Sequence, residues 1–329
     1  VSYFEGSMTV TNLLERYLSL KQHLRANTVR GYHITIKTLQ NDKVFCNMKI
    51  RTVKRSDCQK CMINLSKLGY AYGTINRCYT ILKSAFQMAC DEDILGKNPC
   101  NFKLSSVIVR NTKKRCALTP EDQKRFLDFV KQDPRYYKHY DTFVFMIETG
   151  LRIGELAGLT LKDIDWKNNR IIINHQLQVQ AGRKSLYIET TKTEDGVRNI
   201  PLTPRAKEAL ENIIRNRNPK NIPEQVVDGY VGFLFLTRNG LPRHVFHYDE
   251  VFRNCVDKYN RTHALQLPNI TPHILRHTFC TNCINAGMSV KSVQYLMGHA
   301  TSAMTLDVYA DSNMDKVSQD MKLLRQASN

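Results

Sequence analysis

The 329-residue sequence has no long hydrophobic run, no low-complexity tract and no internal repeat. Apolar stretches such as FVFMI and VGFLFL are far shorter than the roughly 18 residues that a membrane-spanning helix needs, so we interpret them as buried core. The first residues, VSYFEGSM, lack the basic, apolar and small-residue segments of a secretion signal. An initiator Met is also missing, and we therefore expect residues 1–7 to be a tag or linker remnant.

Acidic residues are scarce compared with basic ones. The chain has 30 Asp and Glu against 48 Lys and Arg, which gives a formal net charge of +18. Residues 1–116 hold 20 of these Lys and Arg residues but only 7 of the Asp and Glu residues. A fold does not require such an excess, and an anionic polymer is the expected partner. The charge thus favours a nucleic-acid-binding protein over a generally basic cytosolic protein.

Cysteines are numerous, ten in all, and two pairs have C-x-x-C spacing: Cys58 with Cys61 and Cys280 with Cys283. A zinc ribbon needs short turns with Gly or Pro around each pair. Both pairs stand instead in helix-like stretches, RSDCQKCMINLSKLG and LRHTFCTNCINAG. We therefore expect the cysteines to be small core residues in a reducing cytoplasm, and we expect no metal.

The first third of the chain shows helical periodicity. Residues 8–104 contain four such stretches with short connections, which predicts a small helical bundle. The segment 105–116, SSVIVRNTKKRC, is basic and contains no acidic residue. We interpret it as a linker that passes along a duplex, the alternative being a solvated run of charges.

The second part of the chain mixes helices and strands. Thr119, followed by proline and two acids, predicts a helix start. An apolar helix is predicted to end at Glu148, before Thr149–Gly150, and a short helix is predicted from Arg152. RIIINHQ predicts a strand, and SLYIETTKTEDGVRNIPL predicts two strands joined in a hairpin at the turn TEDG. Helices follow FLFLTRNG, so the predicted fold is mostly α with a small β-sheet, of the α+β class.

The stretch ITPHILRHTFCTNC places His273 and His277 four residues apart, on one helical face, as in zinc peptidases. That motif needs Glu directly after the first histidine, where this sequence has Ile274, and Pro272 puts His273 at the helix start. A phosphate site fits better, because a helix start offers free N–H groups and a positive dipole end. Arg276 adds a planar fork of donors suited to phosphate oxygens.

Two other segments supply residues of the same chemistry. TGLRIGEL places Arg152 at a helix start, and LMGHATSAMTLDVYAD places His299 ten residues before Tyr309. Together with TTKTEDGVRNIPL and TPHILRHTF, and in this order, these segments resemble the tyrosine recombinase (phage integrase) family. The wording around LRHTFCTNCINAG and VQYLMGH is most similar to the integrases of conjugative transposons. The motifs span residues 149–310, and the plan of helical domain, linker and mixed domain extends the resemblance to nearly the whole chain.

The resemblance implies a site-specific DNA recombinase, or integrase, that integrates and excises a mobile element. Tyr309 would attack a DNA phosphodiester to form a 3′-phosphotyrosyl intermediate and a free 5′-hydroxyl. Arg152 and Arg276 would hold the nonbridging oxygens of the phosphate. Glu155 is expected to orient Arg152 or to bond backbone rather than to react. No cofactor is implied, since the covalent link conserves the energy of the broken bond.

Three further residues receive roles from the same resemblance. Lys192, rather than Lys184 of the neighbouring turn, would protonate the leaving 5′ oxygen. His273 would assist proton transfer, and His299 would donate a hydrogen bond to the phosphate. His277 is assigned to packing or to a secondary hydrogen bond.

The resemblance also implies the domain plan. A helical, SAM-like core-binding domain covers 8–104, the basic linker 105–116, the catalytic domain 117–312, and a tail over 313–329 docks on a neighbouring subunit. The domains are expected to form a C-shaped clamp around DNA. DNA contacts are expected from basic residues of the first domain and the linker: Arg77, Lys83, Arg110, Lys113, Lys114 and Arg115.

Recombination cleaves four strands, so a homotetramer on double-stranded DNA, the element ends and the target site, is implied. A DNA-bending or excisionase protein is a further expected partner, no membrane is expected, and the expected location is the bacterial cytoplasm at the nucleoid. Alternatives stay open: a type IB topoisomerase, which shares the tyrosine chemistry but relaxes DNA as a monomer, and a non-catalytic DNA-binding regulator. A metal nuclease is a third.

Overall fold

The computed structural model describes residues 7–21, 24–110, 116–180, 185–190, 197–217 and 221–309. Residues 307–309 are described by their backbone alone. The chain divides into two compact units, one formed mainly by residues up to Lys114 and the other mainly by residues from Arg115 onward. Within the described ranges, no helix combines the length and the apolar character that crossing a membrane requires.

The first unit is a bundle of helices. Its helices are α1 (Val10–Ser19), α2 (Ala26–Leu39), α3 (Lys43–Cys46), α4 (Arg55–Lys67) and α5 (Tyr72–Asp91). The four predicted helices are present, and the short α3 was not predicted.

An acidic residue stabilises the start of α4, which begins at Arg55. The carboxylate of Asp57 accepts from the backbone N–H of Lys54 at 2.9 Å, so the acid stabilises the helix start from inside the first turn.

The core of the first unit contains five of the ten cysteines. Eight of the ten cysteines in the chain are buried and none forms a disulfide; the buried ones are Cys46, Cys58, Cys61, Cys78, Cys100, Cys255, Cys280 and Cys283. In the first unit they pack with Leu13, Leu65 and Phe86. The prediction that the cysteines are small core residues is confirmed for these positions.

The second unit is mostly helical around a small amount of sheet. Its helices are α6 (Pro120–Gln132), α7 (Tyr140–Thr149), α8 (Ile153–Gly158), α9 (Pro204–Arg215), α10 (Val245–Thr262), α11 (Pro272–Asn285), α12 (Val290–Met297) and α13 (Ser302–Tyr309). Thr119 Oγ1 accepts from the N–H of Asp122 at 3.1 Å, which confirms the predicted cap of α6. α7 is apolar on nearly all sides and packs against α9 and α11, so it forms the centre of the core.

The strands form two antiparallel sheets. β1 (Ile164–Asp165), β2 (Arg170–Ile173) and β5 (Arg198–Pro201) form one, in the order β1-β2-β5, and β3 (His175–Val179) pairs with β4 (Leu186–Thr190) in the other. The predicted strand RIIINHQ is therefore divided between two sheets. The predicted hairpin was also wrong, because β4 pairs with β3 and β5 pairs with β2 rather than with each other.

The strand register shows where the segment between β4 and β5 is inserted. His175 pairs with Thr190, and Ile173 pairs with Arg198. Along the chain, Asn174 alone separates the paired residues Ile173 and His175, whereas seven residues separate their partners Thr190 and Arg198. The predicted turn TEDG lies outside the described residues.

Candidate active site

The corner between α7 and α8 positions the first predicted arginine. α7 ends at Thr149, and Gly150 follows in the left-handed conformation with a φ of +62°. A Cβ added at Gly150 would lie 2.2 Å from Cδ1 of Phe279, so both the backbone and the available space require glycine. Arg152 then forms the N-cap of α8, with its side chain 38% exposed. The predicted break and short helix are present, although α7 extends one residue beyond the predicted end at Glu148 and α8 begins one residue after the predicted start at Arg152.

Glu155 is the buried anion of this region, with its side chain 3% exposed. Its carboxylate accepts from the backbone N–H and from Nη1 of Arg152, both at 2.8 Å. Nη1 and Nη2 of Arg198 donate to the two carboxylate oxygens at 3.0 and 2.8 Å. Burial raises the pKa of Glu155, but the hydrogen bonds and charge of Arg198, with the charges of Arg152 and Arg276, lower it to about 2. Glu155 is therefore ionised and orients Arg152, as predicted.

Arg276 lies in α11 and is only 4% exposed. Its Nη1 donates to the carbonyl of Gly150 at 2.7 Å, and its Nη2 donates to the carbonyl of Met297. Burial, followed by the charge of Arg152, lowers the pKa of Arg276 to about 9. The guanidinium therefore keeps its charge at neutral pH, and two backbone carbonyls fix its orientation.

The C-terminal end of α12 is bound by three arginines. The consecutive carbonyls of residues 296–298 each accept from a different guanidinium: the first from Arg198 Nε at 2.8 Å, the second from Arg276 Nη2, and the third from Arg152 Nη2 at 2.6 Å. This end of a helix carries a partial negative charge, which favours the arrangement. A single helix end thus holds the two predicted arginines and one more within one cluster.

Gly298 ends α12 where the backbone approaches these guanidinium groups closely. A Cβ added at Gly298 would lie 3.0 Å from Nη1 of Arg198 and 3.3 Å from Nη1 of Arg152. The residue also has a φ of +58°, which disfavours a side chain. His299 follows directly, so this glycine brings the histidine to the arginine cluster.

His299 is buried, and its Nδ1 lies 3.0 Å from Oγ1 of Thr305. Burial and then the positive charges of Arg276 and Arg152 lower the pKa of His299 to about 4. The imidazole is therefore neutral at physiological pH. Thr305 belongs to α13, whose last residue is Tyr309. The hydrogen-bond pair thus joins the arginine cluster to the helix that carries the predicted nucleophile.

The remaining predicted residues lie at the edge of this cluster or outside the described residues. His273 is exposed at the second position of α11, three residues before Arg276. The side chain of Tyr309 lies outside the described residues, and so do Lys192 and Lys184. The structure therefore brings together Arg152, Arg276 and His299.

A profile of the phage integrase family matches residues 117–316. The chain belongs to the phage integrase family. It is 40% identical over 317 residues to the transposase from transposon Tn916 of Enterococcus faecalis. The aligned residues cover 96% of this chain and 77% of the relative. The transposase from transposon Tn1545 of Streptococcus pneumoniae gives the same values. This chain is thus a tyrosine recombinase, an enzyme that breaks and rejoins DNA.

Solved structures agree with this family. The Tn1549 transposon integrase in complex with a circular intermediate DNA is 39% identical and superposes with a TM-score of 0.90, covering 97% of this chain and 100% of that one. A lambda integrase dimer bound to a core site is 16% identical, with a TM-score of 0.65 over 92% of this chain and 95% of that one, and shares the fold. The predicted mostly helical α+β class is confirmed for the recombinase.

The residues predicted to contact DNA are described only in part. Arg77 is exposed on α5, and Arg110 is exposed at the end of the first unit. Lys83 is half-buried, with its Nζ 5.9 Å from the centre of the Tyr79 ring. Three linker residues lie outside the described part of the recombinase: Lys113, Lys114 and Arg115.

Arg198 was missed as a site residue in the sequence of the recombinase, although it stands in the motif VRNIPL. One signal was available, since Arg198 and the core residue Ile200 are two apart on one strand and so share a face. An arginine on the buried face of a strand needs an anionic group or a carbonyl as its partner. Thr305 was missed as well, because nothing in the sequence shows that its hydroxyl faces His299.

The described part of the recombinase contains no group of three or more His, Cys, Asp or Glu residues that could hold a metal ion. The metal alternative therefore has no such cluster to support it there. His273 and His277 share α11, but His273 lies at its exposed start. Cys280 and Cys283 pack with Val293 and Met297 in a small apolar cluster under α12.

Proposed function

We propose that this recombinase integrates and excises a mobile element by cleaving DNA with Tyr309 at the cluster of Arg152, Arg276 and His299. The observation that carries the proposal is the common attachment of these three residues to the end of α12, one helix before Tyr309. Two oriented guanidinium groups beside a neutral imidazole make a site for a phosphodiester.

In the proposed cleavage step, the phenolic oxygen of Tyr309 attacks the phosphorus and forms a 3′-phosphotyrosyl bond. The bond from phosphorus to the 5′ oxygen breaks, and Lys192 supplies the proton to that oxygen. His273 assists removal of the tyrosine proton. Rejoining reverses the step with a 5′-hydroxyl from another strand, so the number of phosphodiester bonds is conserved and no energy source is consumed.

The arginines act on the charge that develops in the transition state. Arg152 and Arg276 each donate to a nonbridging oxygen, and His299 donates a third hydrogen bond. Backbone carbonyls and Glu155 already hold the two guanidinium groups, so little reorganisation is needed when charge develops. A tyrosine has an ordinary pKa of about 10, and nearby positive charge favours its ionised, nucleophilic form.

The proposed substrate is double-stranded DNA with the joined or separate ends of the element. The Tn1549 integrase was solved with circular intermediate DNA and with transposon right end DNA, which supports this class of substrate for a chain 39% identical to it. We propose that the helical domain, 8–104, and the linker, 105–116, bind this DNA, and that the catalytic domain, 117–312, cleaves it.

Assembly is part of the same proposal. Exchange between two sites needs four active sites, so the active form is a homotetramer on DNA, with the tail 313–329 docked on a neighbouring subunit. A DNA-bending or excisionase protein is a further proposed partner. The work takes place on DNA in the bacterial cytoplasm, at the nucleoid, as the bacterial sources of its relatives support.

A covalent-adduct selection tests the proposal. The recombinase is incubated with a pool of duplexes that have a randomised central segment and one nick, which prevents rejoining. Protein–DNA adducts are isolated under denaturing conditions and sequenced. We expect adducts joined at a 3′ phosphate, formed in excess chelator and absent with Tyr309→Phe. A wild-type protein that binds DNA but yields no adduct would make the chain a non-catalytic regulator.

A second assay separates the recombinase from a topoisomerase. The selected duplex is placed once, or twice, in a supercoiled plasmid. We expect exchange between the two copies and little relaxation of the plasmid with one copy. Efficient relaxation with one copy and no exchange with two would favour the type IB topoisomerase.

A further inference from the structure

Arg198 is a fully buried arginine within the site, although nothing places it on the substrate. It lies at the start of β5 and is 1% exposed. Its Nη1 and Nη2 face the two oxygens of Glu155, and its Nε donates to the carbonyl of Leu296 at 2.8 Å. An arginine buried to this extent is retained only with a full set of partners, and these partners are parts of the active site.

Glu155 is shared by two arginines that differ in exposure. Arg152 donates to it through the backbone N–H and Nη1, while Arg198 donates through both Nη atoms. The guanidinium of Arg198 therefore forms the two-pronged pair, and that of Arg152 a single contact. Arg152 is the more exposed of the two and can turn its remaining edge to a ligand.

Charge balance follows from the same contacts. Arg152, Arg198 and Arg276 are three cations around one carboxylate. If Arg198 were neutral, more of the negative charge of Glu155 would act on Arg152 and reduce its attraction for a phosphate. The end of α12 would also lose the bond to Leu296 that precedes His299.

We infer that Arg198 is a positioning residue for strand cleavage: it neutralises Glu155 so that the charge and orientation of Arg152 serve the scissile phosphate. It acts through Glu155 and the end of α12, without touching DNA. This inference rests on the proposed function, because it assumes that Arg152 binds the phosphate that Tyr309 attacks.

The test compares Arg198→Met with the double variant Arg198→Met/Glu155→Gln, which removes both buried charges together. Adduct formation is timed on the selected nicked duplex at saturating protein, and DNA affinity is measured separately. We expect Arg198→Met to slow adduct formation about 100-fold, the lower end of the effect typical for loss of a preorganised electrostatic group. Affinity should change less than about threefold, since contacts along the DNA backbone dominate it.

Rescue is the decisive readout. The double variant should recover about tenfold over Arg198→Met, because Arg152 is then relieved of the unbalanced carboxylate. A double variant as slow as Arg198→Met, with both folded, would overturn the inference. A matched control is Arg170→Met on the neighbouring strand, whose ion pair with Asp165 is partly exposed and whose loss should leave the cleavage rate unchanged.

A milder variant covers the case in which Arg198→Met does not fold. Arg198→Lys keeps the charge but loses the two-pronged geometry, so we expect slower adduct formation at saturating protein with unchanged affinity. A folded Arg198→Lys that loses DNA affinity while its cleavage rate at saturating protein stays at the wild-type value would overturn the inference, because Arg198 would then act in DNA binding. Failure of the proposed function is distinguishable, because the wild-type protein itself would then form no Tyr309-dependent adduct.

Discussion

Nδ1 of His299 lies 3.0 Å from Oγ1 of Thr305, a fully buried hydroxyl six residues further along the chain. In the part of the chain that the structure describes, this imidazole nitrogen is the hydrogen-bond partner of Oγ1. The buried hydroxyl of Thr305 therefore donates its proton to Nδ1, which accepts. A neutral imidazole has one N–H, which is then at Nε2. Thr305 thus selects the tautomer of His299 that can donate to a phosphate oxygen.

Thr305→Val should therefore slow cleavage with little loss of packing. A net hydrogen bond is worth about 0.5–1.5 kcal/mol, which corresponds to a slowing of up to about tenfold. Thr305→Ser keeps the hydroxyl and should retain most of the rate. The measurement is adduct formation on the nicked duplex at saturating protein. Equal rates for the Val and Ser variants would contradict the assigned tautomer role.

The corner at Gly150 should not tolerate a side chain. Gly150→Ala adds a Cβ that collides with Phe279 and forces a left-handed alanine, so we expect a loss of more than about 3 kcal/mol in unfolding free energy. Gly287→Ala is the matched control, since its φ is also positive, +81°, but no atom lies within 4 Å. It should cost only about 1 kcal/mol.

Urea titration can follow both glycine variants through Trp166, the single tryptophan of the chain, which lies in the second unit. The Gly150 variant should also form adducts slowly, because the Gly150 carbonyl holds Arg276. Similar stability for the two variants would show that the Phe279 contact relaxes without cost.

Acid should destabilise the second unit through buried histidines. Burial, Arg243 and other nearby cations lower the pKa of His139 to about 3, and that of His299 is lowered to about 4. Both values lie below the unfolded value of 6.5, so the unfolded chain takes up protons first. The free energy of unfolding is therefore greatest above about pH 6.5 and falls towards pH 4. Each histidine lowers it by up to about 1.4 kcal/mol per pH unit.

The variant that checks this pH dependence is His139→Phe, which removes one of these linked protons. Its unfolding free energy, followed by Trp166 fluorescence, should fall less between about pH 6.5 and pH 5 than that of the wild type. A wild-type slope in His139→Phe would mean that His139 takes up its proton in the folded state.

Salt dependence should report the DNA contacts of the first unit. Arg77→Ala should weaken duplex binding and reduce the slope of log affinity against log salt by about 0.9, the value for one lost phosphate contact. Lys167→Ala, at an exposed turn of the second unit, should change neither. An unaltered slope in Arg77→Ala, measured by fluorescence anisotropy on the selected duplex, would remove Arg77 from the interface.

Local sequence signals predicted the parts of the site that depend on neighbours along the chain. Thr149–Gly150 marks the end of α7, and proline at the start of α11 fixes where His273 stands; both boundaries are confirmed. Such signals act through backbone angles and caps within a few residues, which a sequence displays directly.

Contacts between distant segments could not be read in the same way. The turn signal TEDG predicted that β4 and β5 pair with each other. Instead β4 pairs with β3 and β5 with β2, because strand pairing is decided by packing over the whole sheet. Arg276 donates to the backbone carbonyls of Gly150 and Met297. Every residue has a backbone carbonyl, so the sequence does not show which ones accept these hydrogen bonds.

The three carbonyls at the end of α12 have a consequence for how this chain tolerates change in length. Each inserted residue rotates the rest of a helix by about 100°, since an α-helix has about 3.6 residues per turn. An insertion or deletion within Val290–Met297 would thus turn all three acceptors away from their guanidinium groups at once. Natural variation in length is therefore expected in the loops around this helix, whereas the helix itself serves as a fixed spacer in the active site.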